Sequence, residues 1–374
     1  MGIHEAGGGA MTSPEGASAR LEGPITLDRM GSFFFGGRVI RNSSGDSFHG
    51  DHGYAQFFIP QRARNYPLIM WHGLEQSGKT WESTPDGRDG FWQIFTRREW
   101  PVYVIDQPRR GRAGRAIIDE SATGTPFIPT LASESSAWNT FRLGTWQPPA
   151  AAKLFPVLQF PQDGESLEQF LRQQTPNTGA EPFPDAAHRE FLGMAVAELV
   201  RKIGSSILFT HSHSGQYGWV TAMKVPELVK AIVAIEPGTF AFPAGEPPED
   251  ISTGSDLLTS FMAPQFVDPD EFLKLTRVPI LIVMGDNIAE SPDDDFGIEL
   301  WRIVRQRAKQ FVAAVNRHGG DATYLELSEA GLAGNTHFPM MDLNNLEVVG
   351  LLEDFLSRRG LDARDHPHHG PGGS

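Results

Sequence analysis

Ile207-Leu208-Phe209-Thr210-His211-Ser212-His213-Ser214-Gly215 is an apolar strand that stops at a serine flanked by small residues, and a helical pattern follows from Gly215 to Lys224. Strand, sharp turn with a serine at its apex, then helix is the layout of a nucleophile elbow, which holds a hydroxyl above the edge of a sheet. The usual Gly-x-Ser-x-Gly stands here as Thr210-x-Ser212-x-Ser214. Small side chains are needed at the two flanking places because strand and helix approach closely. Thr and Ser fit that space less easily than Gly. A Ser-rich turn without chemistry would read much the same, so the surrounding chain decides.

Outward from the elbow, short apolar runs alternate with longer helical patterns. Strands are predicted over Gly31 to Ile40, Tyr54 to Ile59, Leu68 to Trp71, Val102 to Ile105, Ser206 to Phe209, Ala231 to Ile235, Ile280 to Met284 and Thr323 to Leu327. Helices are predicted over Gly90 to Arg98, Ala186 to Lys202, Gly215 to Lys224, Asp294 to His318 and Leu346 to Arg358. This rhythm gives an α/β fold: a mostly parallel, eight-stranded sheet with helices on both faces. Runs such as Ala231-Ile232-Val233-Ala234-Ile235 suit strands buried on both sides. The first two strands, joined by the short polar stretch 41–53, suit an opening antiparallel pair.

Two stretches break the rhythm. Residues 117–185 are dense in Pro, Thr, Ser and Gln and carry Trp138, Phe141, Trp146, Phe155 and Phe160; residues 238–277 include a Pro-rich turn. Long segments without periodicity inside a compact domain often belong to lids. One catalytic domain over 21–362 with cap insertions around 117–185 and 238–277 is expected. Residues 1–20 read as a disordered or expression-derived leader and 363–374 as a disordered tail, whose histidines are not taken as a metal site.

The 374 residues carry a formal charge of −14 and no cysteine. That acidity argues against a general nucleic-acid binder. Lack of cysteine excludes disulfides, thiolate metal sites and a cysteine nucleophile. No apolar run approaches the roughly 20 residues of a membrane span. No signal-peptide core is visible, which places the chain as written in the cytoplasm; a removed leader would make it periplasmic or secreted.

A serine hydroxyl needs a base to take its proton and a third group to orient that base. His337, in Gly334-Asn335-Thr336-His337-Phe338-Pro339 after the last strand, is the candidate base. Two carboxylates compete to orient it. Asp286 ends the strand where topology would place the acid. Glu236 leaves a buried-looking strand directly before Pro237-Gly238, a costly place for an unpaired charge. On the residues alone the two stand level. Backbone N–H groups must also hold the oxyanion, each worth about 3 kcal/mol. The amide of His213 would be one, and that of Leu74, in His72-Gly73-Leu74-Glu75-Gln76-Ser77-Gly78, the other.

Other runs take a structural reading. The basic stretch Arg109-Arg110-Gly111-Arg112 follows a strand directly and would pair with nearby acids. His211 and His213 have no carboxylate at ligand spacing, so no metal is expected there. Asp293-Asp294-Asp295 caps the long helix.

The block His72-Gly73, then Lys79-Thr80-Trp81-Glu82-Ser83-Thr84-Pro85-Asp86-Gly87-Arg88-Asp89-Gly90, then Tyr103-Val104-Ile105-Asp106-Gln107 is more specific than any elbow. It resembles the bacterial esterase 713-like α/β-hydrolases, as does the elbow His-Ser-x-Ser-Gly, which makes Ser214 a family trait. The likeness follows the order of elements over residues 30 to 355 and is dense around 70–115 and 205–240. It implies an α/β-hydrolase fold and a triad of Ser212, His337 and a Glu on the strand after the elbow. That acid maps onto Glu236 and leaves Asp286 as the alternative. One departure stands out: Leu74 and Glu75 occupy the places where the family has adjacent cysteines joined as a vicinal disulfide. The resemblance further implies a cofactor-free serine esterase acting on a small-molecule ester or lactone, with a cap and a homodimeric assembly. An amidase, a C–C bond hydrolase and a non-catalytic homologue are the alternatives.

Overall fold

The structure is a computed structural model and describes residues 23–113, 116–117 and 133–364. The expected leader, and the tail histidines with it, lie outside the described residues. Eight strands form one sheet: β1 (Leu27–Arg41), β2 (Ser47–Pro60), β3 (Leu68–Trp71), β4 (Val102–Asp106), β5 (Ser206–His211), β6 (Val229–Ile235), β7 (Ile280–Met284) and β8 (Ala322–Glu326). Their order across the sheet is β1-β2-β4-β3-β5-β6-β7-β8. β1 pairs antiparallel with β2, and β2 with β4; every other neighbour is parallel. The sheet is therefore the expected one, opening pair included.

Successive side chains of a strand point to opposite faces, and both faces here are covered. In β6, Ile232 and Ala234 join one core cluster while Ala231, Val233 and Ile235 join the other. The helices are α1 (Phe91–Arg97), α2 (Glu134–Thr140), α3 (Gly164–Arg172), α4 (Ala186–Ile203), α5 (Gly215–Lys224), α6 (Asp256–Phe261), α7 (Pro269–Leu275), α8 (Phe296–Arg317) and α9 (Asn345–Ser357). Helices α4, α5 and α8 cover one face through residues such as Leu192, Trp219 and Phe311. Helices α1 and α9 cover the other through Phe95 and Leu352. The long helix begins two residues later than expected, because Asp295 caps it by accepting from the amides of Gly297 and Ile298.

The first insertion, described from residue 133, holds α2, α3 and a small hairpin of 144–145 with 153–154. Helices of seven and nine residues are too short for a periodic pattern to stand out. The second insertion holds α6, α7 and a parallel pairing of 241–243 with 265–267. The basic run pairs with acids as expected: Arg109 with Asp51, Arg110 with Glu181 and Arg112 with Asp106. Among the described residues no helix is long and apolar enough to cross a membrane.

Candidate active site

Strand β5 delivers Ser212 to the carboxyl edge of the sheet, and the turn is sharp enough to force a positive φ of 55°. A non-glycine residue in that region is strained, and such strain persists where the surroundings fix it. Here they do. Ser214, fully buried, accepts from the His211 amide at 3.0 Å, and its hydroxyl lies 3.0 Å from the Trp71 carbonyl, the acceptor that ties the turn to β3. The tight approach expected at 210 and 214 falls instead on two helix glycines. A Cβ on Gly218 would meet the Thr210 methyl at 2.8 Å, and one on Gly215 would meet Pro237 Cβ at 2.6 Å. Thr210 is tolerated because its partner in α5 has no side chain.

His337 and Glu236 meet although 101 positions separate them: His337 Nδ1 lies 3.2 Å from Glu236 Oε2, and both are buried. Glu236 leaves β6 with a φ of 51°. Arg142 grips the same carboxylate with both arms, Nη2 to Oε1 at 2.6 Å and Nη1 to Oε2 at 2.9 Å, and the Gly285 amide donates to Oε1 as well. Burial alone would push this carboxyl up, but Arg142 and His337 hold it down at about 2, so it is an anion at neutral pH. Spending Nδ1–H on Glu236 leaves the lone pair of His337 on Nε2. Burial lowers the pKa of His337, against the pull of Glu236, so the ring is a neutral acceptor at pH 7.

Asp286 makes its hydrogen bonds elsewhere than the imidazole, whose Nδ1 faces Glu236. Its Oδ2 accepts from the Gly334 amide at 2.8 Å, and its own carbonyl accepts from Arg142 Nε at 2.8 Å. It holds the loop that carries His337. Asp342 does likewise: it accepts from the amide and hydroxyl of Thr336 and from Asn335, while burial pushes its carboxyl up to about 7.

The loop after β3 lies hard against the serine, since a Cβ on Gly73 would come within 2.9 Å of Ser212 Cβ. Leu74, Ser212, His213 and His337 all line one cavity of about 240 Å³. Its remaining wall is mainly apolar and comes from three places: Phe141 and Phe183 in the first insertion, Phe261 and Met262 in the second, and Trp301 with Leu300 in α8. The His213 ring points into a buried cluster with Gln216, Glu181 and Tyr217, and burial drives its pKa down to about 4. Any role for His213 toward a developing oxyanion would rest on its backbone. Among the described residues no group of three or more His, Asp or Glu could hold a metal ion.

Two residues at this site, Arg142 and Asp342, carried no signal in the sequence, and a third, Phe141, stood out only as one aromatic of the first insertion. Arg142 is one arginine in an aperiodic stretch, 94 positions from the carboxylate it grips. Phe141 lays its ring parallel to the His337 imidazole at 5.6 Å, and its carbonyl accepts from the His337 amide at 3.1 Å. Asp342 follows His337 by five positions in a segment with no motif. An arginine-aromatic pair inside an insertion would have been the signal, and it is a weak one.

Comparison with known proteins gives two informative likenesses. The chain is similar to a bacterial esterase solved at atomic resolution, with 30% identity, a TM-score of 0.70, and coverage of 91% of this chain and 99% of that one. It is also 27% identical over 339 residues to a fungal protein (strain ATCC 74256) described as the probable secreted lipase phiG, covering 82% of this chain and 86% of the relative. No protein-family model matches the chain.

Proposed function

We propose, from the premise that this chain belongs to the bacterial esterase family of α/β-hydrolases, that it cleaves small carboxylic esters or lactones through an acyl-enzyme on Ser212. The observation that carries the reading is the buried Arg142-braced contact of Glu236 with His337, whose imidazole lines the same cavity as Ser212. In the reaction His337 Nε2 takes the Ser212 proton as Oγ attacks the carbonyl carbon. Glu236 orients the imidazole and stabilises its positive charge. The oxyanion is held by the amides of Leu74 and His213. Collapse expels the alcohol, which takes its proton from His337, and a water repeats the steps to free the acid. No cofactor enters. The two insertions act as a cap, and its aromatic side chains favour an apolar or aromatic part in the substrate. Exposed Met30, Phe34 and Val39 on β1 support the homodimer as the assembly, which sedimentation would measure.

Ser212→Ala is expected to abolish turnover of a short nitrophenyl ester while leaving the melting profile intact. A variant that keeps the full rate overturns the mechanism. Glu236→Gln and Asp286→Asn decide the acid, the larger loss in kcat identifying it. Paired ester and amide substrates separate esterase from amidase. Failure of the folded protein to react with a fluorophosphonate would favour a non-catalytic homologue.

A further inference from the structure

Glu75 is an oddity in the candidate cavity. Among the residues that line it, Glu75 is the one carboxylate, and Lys and Arg are absent. The three histidines in the wall, His211, His213 and His337, are all held toward the neutral form by burial. Glu75 follows Leu74 directly and sits on a backbone with φ 55°, a conformation that costs a non-glycine residue and so points to a fixed orientation. The backbone is pinned from the other side, where the Thr175 amide donates to the Glu75 carbonyl at 2.8 Å. Burial of the carboxylate raises its pKa. Among the described residues this carboxylate has no hydrogen-bond or ion-pair partner. Arg110, the cation that bears on it electrostatically against the like charge of Glu181, spends its two terminal nitrogens elsewhere, Nη2 on Glu181 and Nη1 on the Thr175 carbonyl at 2.7 Å. A half-buried, unpartnered anion beside an apolar wall costs stability, and a ligand that brings a positive charge removes that cost.

We propose that Glu75 is a specificity-determining residue, which selects esters carrying a cationic ammonium group within reach of the scissile carbonyl and disfavours esters carrying a carboxylate there. The inference rests on the esterase reading above and names the substrate class for the same site. Because Glu75 adjoins Leu74, the charge it recognises belongs close to the carbonyl, on either the acyl or the alcohol side. The two sides are separate arms of one test. It also gives a role to one of the two residues that depart from the resembled pattern after His72-Gly73.

The test uses two isosteric pairs. On the alcohol side, kcat/KM for a choline ester is divided by that for the matching 3,3-dimethylbutyl ester. On the acyl side, a nitrophenyl ester whose acyl chain ends in trimethylammonium is divided by its tert-butyl counterpart, with a carboxylate-ended chain as a third member. Each ratio comes from one protein preparation, so it is independent of the fraction that folds. The wild type is expected to favour the cation by about tenfold in at least one pair, consistent with one partly screened charge pair, and to lose part of that preference as salt rises. Glu75→Gln is expected to bring the ratio near one and to raise turnover of the carboxylate-ended ester. Glu75→Gly, which relieves the positive φ, keeps the test open if the amide variant folds poorly. Ratios near one in both pairs for the wild type overturn the proposal, as does a preference that survives in both variants. Either result leaves the esterase reading standing if the neutral esters are still cleaved; absence of turnover with every ester overturns that reading instead.

Discussion

Arg142 sets the electrostatics of the site from a segment that otherwise forms its wall. Its guanidinium and the Glu236 carboxylate are both almost wholly buried, so each is tolerable only with the other present. Removing one member of such a pair typically costs about 3–5 kcal/mol. Arg142→Met is therefore expected to lower stability by that order in a urea titration. Its effect on catalysis has a sign that a purely structural role would not give. Arg142 lowers the pKa of His337 and Glu236 raises it. The acid limb of kcat/KM, which reports the free-enzyme base, should lie below the ordinary imidazole value of 6.5 in the wild type. It should move to higher pH in Arg142→Met and to lower pH in Glu236→Gln. Limbs that coincide in all three proteins would show that His337 is not the titrating base. Reading the sequence reached His337 and Glu236 through strand ends and resemblance, whereas Arg142 was invisible because bidentate pairing across 94 positions leaves no local trace.

The elbow as an element shows how a motif can depart from its pattern and still fold. The pattern asks for glycine two places before and after the serine because strand and helix backbones crowd there. In this chain the crowding against the strand is relieved from the helix side at Gly218, Gly215 leaves room for Pro237, and Ser214 turns its own hydroxyl into a tie to β3. Gly218→Ala would thrust a methyl against the Thr210 methyl, 2.8 Å away, inside a core with no slack. Overpacking of this kind costs about 1–3 kcal/mol. Thr210→Ser removes the opposing methyl, so the double variant Gly218→Ala/Thr210→Ser should recover most of the loss. Melting the four proteins gives the coupling directly, and additive losses would mean that the two side chains do not share the space. Strands β3, β5, β6 and β7 were legible because they are buried on both faces and read as unbroken apolar runs. Helices α2 and α3 were not, since each is too brief for its apolar face to repeat and takes its shape from packing onto the site.

For the molecule as a whole, the buried histidines set the acid limit of stability. His72 is fully buried in one tautomer, with Nδ1 facing the Gly73 carbonyl at 2.9 Å and Nε2 accepting from the Gln107 amide at 3.2 Å. Protonating Nε2 would break the second bond, and burial holds its pKa near 4. His213 is likewise at about 4, and His188, His211 and His337 are lowered too. In each case the unfolded chain, titrating near 6.5, takes up a proton that the native protein refuses. Stability from these groups is present above pH 6.5 and drains away as pH falls through their lowered values, about 4 for His72 and His213. Asp342 works in the opposite sense, since its carboxyl is raised to about 7 and stays protonated in the fold where the unfolded chain has lost its proton. The protons refused by His72 and His213, each with its pKa near 4, outnumber the one that Asp342 keeps, so the balance falls with pH once the unfolded imidazoles are charged. Glu236, at about 2, adds a further loss below the ordinary carboxyl range. Denaturant midpoints measured from pH 7.5 to 4.5 should therefore fall steeply below 6.5. In His72→Gln the slope should be shallower by about 1.4 kcal/mol per unit, because one of the refused protons is gone. A wild-type profile that stays flat over this range would mean that these imidazoles are already charged in the native state, and the neutral Nε2 assigned to His337 would lose its physical basis with them.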